Sequence, residues 1–284
     1  MNNRLFFMLI LFAGWIVPNL AWSAACSVNG SGQITDTEWC GHEPTNYTMT
    51  IYKIGLCTSE PTLPPNTSTA ADLSMCSTVF ESTTGTEVTI TDGVGTAPSG
   101  TFTRPPNGAY SHAYAVIAPV FKIRSNITFS GSRTATGGAA GETSGAVCWS
   151  KTHTAYSRTA SNNSGAVGCA STLGATLGTT TINQNNFGGQ SVSYTATASV
   201  PGGTMSAVLA TSDLKLASGA ANDSFGTITR ILASTPFATS ATFADASTGI
   251  SLQIKTSEGA SLNMSNSEIG LFDSGPFVMK IASE

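Results

Sequence analysis

Charged side chains are scarce in this chain. Asp, Glu, Lys and Arg make up 10% of its 284 residues, far below the roughly 25% of an average domain. The twelve Lys and Arg stand singly along the sequence. Without a basic stripe there is no counterion release to drive nucleic-acid binding. A Gly-Lys-Ser/Thr phosphate loop and a dinucleotide fingerprint are both missing. Long amphipathic helices with Glu/Lys faces are missing too. The nearest candidate is residues 69–82, where Leu73, Cys76 and Phe80 recur at helical spacing; it is expected to form at most a turn or two. No fixed-period repeat is present, which disfavours a solenoid or propeller.

Groupings that carry chemistry are equally sparse. A serine hydrolase of the elbow type needs Gly-x-Ser-x-Gly, which does not occur. The chain has three histidines: His42 beside Glu43, His112 between Tyr110 and Tyr114, and His153 in a Ser/Thr-rich stretch. None has the His-x-x-x-His spacing of a metal site, and no second histidine or nucleophile motif supports a catalytic reading, so ordinary hydrogen-bonded side chains are expected. Asp36 with Glu38, and Asn222 with Asp223, offer oxygens for Ca²⁺ without the multiplicity of a binding loop. Nothing selects a glycosidase pair among the sixteen acids. No enzyme activity, metal or cofactor is expected.

What the sequence does supply begins at its N-terminus. Arg4 precedes an uncharged apolar run from Leu5 to Trp22, Pro18 breaks it, and the small residues Ser23, Ala24 and Ala25 follow. This is the pattern of a cleaved secretory signal over residues 1–25, with cuts allowed after Ser23 or after Ala25. No membrane span is expected after cleavage. Cys26 follows at once. A lipoprotein signal would want Leu where Ser23 stands. Lipidating Cys26 would also leave Cys40, Cys57, Cys76, Cys148 and Cys169 as an odd set, so a disulfide is expected instead.

Six cysteines allow fifteen pairings; proximity favours Cys26–Cys40, Cys57–Cys76 and Cys148–Cys169. No two have Cys-x-x-Cys spacing, which argues against zinc or thiol exchange. An oxidising compartment follows: secreted, cell surface or periplasm. Seven Asn-x-Ser/Thr sequons occur, a number unremarkable when Ser and Thr fill about a quarter of the chain.

The exported part, about 260 residues, suits a single β domain over 26–284. Residues 191–200 alternate strictly, with Val192, Tyr194, Ala196, Ala198 and Val200 on one face, which predicts a half-buried strand. Residues 204–211 are its expected partner. Residues 250–255 and 260–264 read as a hairpin about a turn at 257–259, and 268–272 and 276–281 as two more strands. Further strands are expected at 47–56, 86–91 and 109–129, the last with a bulge or break at Pro119. Residues 131–186 are dominated by small residues and read as a loop-rich insertion. Together these predict an all-β, antiparallel β-sandwich of jelly-roll or Ig-like type, with long Gly/Ser/Thr-rich loops and disulfide bridges.

Trp149, Tyr156 and Trp39 are the candidate ligand or partner surface, since an exposed ring can stack on a sugar. The preferred reading is an exported structural or adhesive protein, a homo-oligomer or polymer joined through strand edges and a candidate filament subunit. An envelope module with a glycan or cell-surface partner is the alternative, and a secreted hydrolase the third.

Overall fold

The computed structural model describes residues 25–91, 94–95, 98–157, 164–174, 177–188, 192–200, 202–245, 250–255, 259–265, 267–275 and 278–283. The expected signal segment lies outside the described residues, except Ala25. The described chain is strand and turn, without helix. In order the strands are β1 (Cys40–His42), β2 (Asn46–Cys57), β3 (Cys76–Thr91), β4 (Val94–Gly95), β5 (Thr101–Phe102) and β6 (Gly108–Arg124). Next come β7 (Asn126–Ala135), β8 (Ser144–Ser150), β9 (His153–Tyr156), β10 (Val167–Ala170), β11 (Thr180–Asn183) and β12 (Thr195–Val200). The last are β13 (Gly203–Ala210), β14 (Arg230–Phe243), β15 (Ile250–Lys255), β16 (Ala260–Ser265), β17 (Glu268–Ser274) and β18 (Val278–Ser283).

Two large sheets result. A ten-stranded sheet runs β12-β13-β14-β6-β2-β3-β4, with β11 beside β6, β9 beside β11 and β5 beside β3. A six-stranded sheet runs β1-β16-β17-β7-β8-β10. Most pairs are antiparallel, but β9–β11 and β7–β17 are parallel, so the sheets are mixed rather than purely antiparallel. One hydrophobic cluster draws on both sheets, with Tyr47, Met49 and Phe121 from the larger and Phe129, Leu262 and Phe272 from the smaller. The 131–186 segment contains β8 to β11 as well as the end of β7.

The central strand β6 shows how the sequence sets these positions. From Ile117 to Phe121 it advances four residues while its partner β2 advances two, from Ile51 back to Met49. The surplus is a bulge around Pro119, which has no N–H to give the ladder. On the other flank β6 exchanges β14 for β11 at the same place, and the Pro119 carbonyl accepts a hydrogen bond from Gln184 N–H at 2.7 Å. Ser125 then ends β6, and β7 continues in the six-stranded sheet.

Residues 69–82 make one turn, closed by Cys76 N–H on the Leu73 carbonyl at 2.9 Å, and from Cys76 onward they are β3; two other expectations, for 191–200 and for the C-terminal hairpin, need correction. The helical spacing of Leu73, Cys76 and Phe80 arises because they serve two clusters. Phe80 joins the main core. Leu73 and Cys76 instead pack beside Tyr114, Val116, Val208 and Leu232, along with Leu63, Leu214 and Leu216. Residues 191–200 form strand only from Thr195. The Asn186 side chain accepts from Ser193 N–H at 2.7 Å and Phe187 N–H bonds the Ser193 carbonyl, which bends the chain ahead of the strand; Val192 is 46% exposed.

At the C-terminus, residues 250–255 do not pair with 260–264. β15 pairs with β18 as a separate two-stranded sheet, and β16 with β17 inside the six-stranded sheet, so the described strands nest as two antiparallel pairs. The turn of the inner pair lies between Ser265 and Glu268, where Ser267 takes φ +70°, as tight hairpin turns require. Gly259, placed in the expected turn, instead faces Gly275, whose N–H bonds its carbonyl at 2.8 Å.

Candidate functional site

His42 points inward from β1, away from exposed Glu43. Its Nε2 shares a 2.7 Å hydrogen bond with Ser125 Oγ, and its ring meets Phe272 edge-on at 5.5 Å between centroids. Ser125 N–H donates to Ser150 Oγ at 3.0 Å, and that hydroxyl donates to the Gly178 carbonyl at 2.7 Å. All three side chains are buried. A Ser–His contact of this length would suit nucleophile activation, but both side chains are buried here. The chain of bonds instead fastens β1 to the point where β6 gives way to β7. Sequence spacing cannot reveal it, because His42 and Ser125 are 83 residues apart.

Burial, partly offset by the Ala260 backbone, pushes His42 down to about 4. On β17, loss of water pushes the Asp273 carboxyl up to about 6, against the Ser274 N–H that donates to it. These shifts act in opposite senses. Unfolded His42 takes up a proton below about 6.5 while the native ring does not, so its contribution falls as pH drops from 6.5 toward 4. Native Asp273 keeps a proton that the unfolded chain releases near 4, so its contribution falls as pH rises from about 4 to 6. Each is worth roughly 3 kcal/mol, and they oppose one another across that window. Relative to the parent, His42→Gln is expected to lose stability as pH rises from 4 to 6, and Asp273→Asn to gain it. Urea midpoints at several pH values read this directly; parallel profiles for all three proteins would refute it.

The remaining candidates are scattered. His112 Nδ1 lies 2.9 Å from Ser111 Oγ on β6, and His153 sits on β9. The Asp36 carboxylate accepts from Ser27 N–H, while Glu38, Asn222 and Asp223 are exposed. One carboxylate oxygen of Asp36 and the sulfurs of Cys26 and Cys40 lie within 4.8 Å of one another. Both sulfurs are already bonded to each other, so no thiolate remains to hold a metal.

Trp149, Tyr156 and Trp39 do not form one surface. Trp149 is 0% exposed, a correction to its expected place on a ligand face. The glycines that make its segment read as a loop leave room for the indole: a Cβ at Gly168 or Gly174 would fall 2.9 or 2.2 Å from the ring. Tyr156 is half-buried and leans on Phe225, 5.8 Å between centroids. Beside it lies a polar knot that sequence reasoning missed. Asn185 Nδ2 donates to the carbonyls of Ala221 and Ser224, and Ser157 Oγ accepts from the N–H groups of Asn185 and Asn186. The run Asn183-Gln184-Asn185-Asn186 was its signal. Only Trp39 is open, at 51%.

Three disulfides join Cys26 to Cys40, Cys57 to Cys76 and Cys148 to Cys169, leaving no free cysteine. The second and third link residues directly opposite in the β2–β3 and β8–β10 ladders. Such a set is consistent with an oxidising compartment.

The sheet edges differ in how they end. At β1, Cys26 N–H bonds the Gly41 carbonyl at 2.8 Å, and at β10, Cys169 N–H bonds the Glu142 carbonyl at 2.9 Å. β4 and β5 are two residues each. On β12, the Tyr194 carbonyl accepts from Leu209 N–H. Alternation therefore aims Ala196, Ala198 and Val200 at β13, and the backbones of Thr195, Thr197 and Ser199 outward. The Ser193 hydroxyl satisfies the Thr195 carbonyl at 2.8 Å. Thr197 and Ser199, exposed and uncharged, remain as an edge that no described residue pairs. Among the described residues no helix is long and apolar enough to cross a membrane. Comparison with known proteins finds no matching family model, no matching curated protein and no matching solved structure.

Proposed function

We propose that this chain is an exported structural or adhesive protein of the cell surface, with a β-sandwich core, that assembles with its own copies through strand edges. The observation that carries this reading is the complete use of all six cysteines in three disulfides, each closing a local loop of an all-β chain. Its polar surface supports the same reading, because hydroxyls rather than charges supply it, and uncharged edges pair where charged ones repel. The β12 edge at Thr197 and Ser199 is the place for a neighbour's strand.

Sedimentation of the exported protein tests the assembly. Self-association in the micromolar range is expected, and Thr197→Pro, which removes an outward N–H without touching the β13 ladder, should weaken it about tenfold, the effect of losing roughly 1.4 kcal/mol. A parent that stays monomeric at high concentration, with no polymer by electron microscopy, refutes assembly.

A further inference from the structure

The three disulfides differ in what surrounds their sulfurs. Cys148 and Cys169 are both fully buried. β7 flanks Cys148 through Ile127, and Thr143 bridges Cys169 from the other side, so this bridge is sealed at both ends. Cys26–Cys40 has a half-buried member in Cys26, but one Asp36 carboxylate oxygen lies within 4.8 Å of both its sulfurs. A carboxylate there repels an approaching thiolate and destabilises a departing one.

Cys57–Cys76 has neither protection. Cys76 is half-buried and Cys57 fully buried. The two are directly opposite in the β2–β3 ladder, so their bridge runs across it. In thiol exchange the attacking thiolate arrives in line with the bond that breaks, from behind the sulfur it takes. Behind Cys57 stands β6, with His112 opposite it. Behind Cys76 no strand stands among the described residues: β3 meets β5 at Phe80 and Glu81, and β4 at Ile90 and Thr91. The open approach therefore leads to Cys76, and Cys57 is the sulfur that leaves.

His112 lies on the same face as Cys57, because directly opposed residues point the same way. The Ser111 hydroxyl gives its one proton to the Thr58 carbonyl at 3.0 Å, so it accepts from His112 Nδ1 at 2.9 Å. Nε2 is left as the basic atom of the ring. A proton held there favours the Cys57 thiolate. Missing Cys-x-x-Cys spacing argues against a vicinal redox pair, but it does not bear on exchange with a foreign thiol.

We propose that Cys76 is a thiol-modification site, at which a small thiol of the glutathione class forms a mixed disulfide and releases Cys57. The new S–S bond forms as the Cys57–Cys76 bond breaks. Cys57 leaves with the electron pair and then takes up a proton; the foreign sulfur is oxidised and Cys57 is reduced. His112 is a positioning residue in this step, acting through Cys57. Ala71 N–H on the Leu214 carbonyl at 3.0 Å and Leu216 N–H on the Asn66 carbonyl at 3.2 Å keep the 58–75 loop docked while the bridge is open. The inference requires the oxidised chain and is independent of self-assembly.

The test is mass mapping of the oxidised full chain in native buffer with reduced glutathione, with free thiols trapped by alkylation at successive times. The first adduct is expected on Cys76, with Cys57 as the matching free thiol, about tenfold faster than opening of either other bridge. His112→Gln is expected to slow this exchange about threefold and His112→Lys to restore it; a substitution that merely loosened the sheet would speed it instead. Asp36→Asn is expected to speed exchange at Cys26–Cys40. A first adduct on any other cysteine, or three bridges opening together at the rate of global unfolding, overturns the inference. Parental exchange in His112→Gln overturns the part given to His112.

Discussion

Reduction of the three disulfides in the absence of denaturant is expected to unfold most of this chain. The bridges close sequence separations of 14, 19 and 21 residues. By loop-closure entropy each restrains the unfolded chain by about 3 kcal/mol. The three loops do not overlap, so the effects accumulate to roughly 9 kcal/mol, comparable with the whole stability of an ordinary domain. The Cys148–Cys169 bridge is expected to matter most locally, since it pins a segment built largely of Gly, Ala, Ser and Thr around one tryptophan. Circular dichroism and urea midpoints with and without a phosphine reductant provide the check. A reduced chain that keeps the oxidised midpoint would show that the sheets stand without their bridges.

Truncation of Trp149 is the second large effect. Trp149→Ala is expected to cost about 3–5 kcal/mol, the range for emptying an aromatic site in a core. The two flanking glycines have no side chains to collapse into the space. Trp149 Nε1 is buried with no hydrogen-bond partner among the described residues, so Trp149→Phe removes an unsatisfied donor along with some area. It should cost less than half as much as the alanine variant. Thermal or chemical denaturation of the three proteins separates these outcomes. An alanine variant with parental stability would return Trp149 to the surface, as a ring free to stack on a ligand.

Trp149 also shows where sequence reading stops. Its neighbours are small, and in a sequence smallness reads as flexibility. Around one large ring the same composition is a socket, and only the fold brings Gly168 and Gly174 to it. β12 is legible from Thr195 onward because its two faces differ in burial, which is the condition for alternation to carry information. Pro119 is legible as a bulge because it lacks a donor whatever surrounds it. The hairpin within 250–283 is misplaced from sequence because Ser257-Glu258-Gly259 and Asn266-Ser267 both look like turns, and cross-strand partners decide which one closes. The His42–Ser125 bond is invisible for a different reason: it depends on a sheet-to-sheet crossing, and no local pattern encodes that.

Immunogold electron microscopy of the producing cells, with antibody raised against the folded oxidised protein, tests the proposed function most directly. Label is expected outside the cytoplasm, along filaments or in a continuous surface layer. Label confined to the cytoplasm would contradict an exported, self-assembling surface protein.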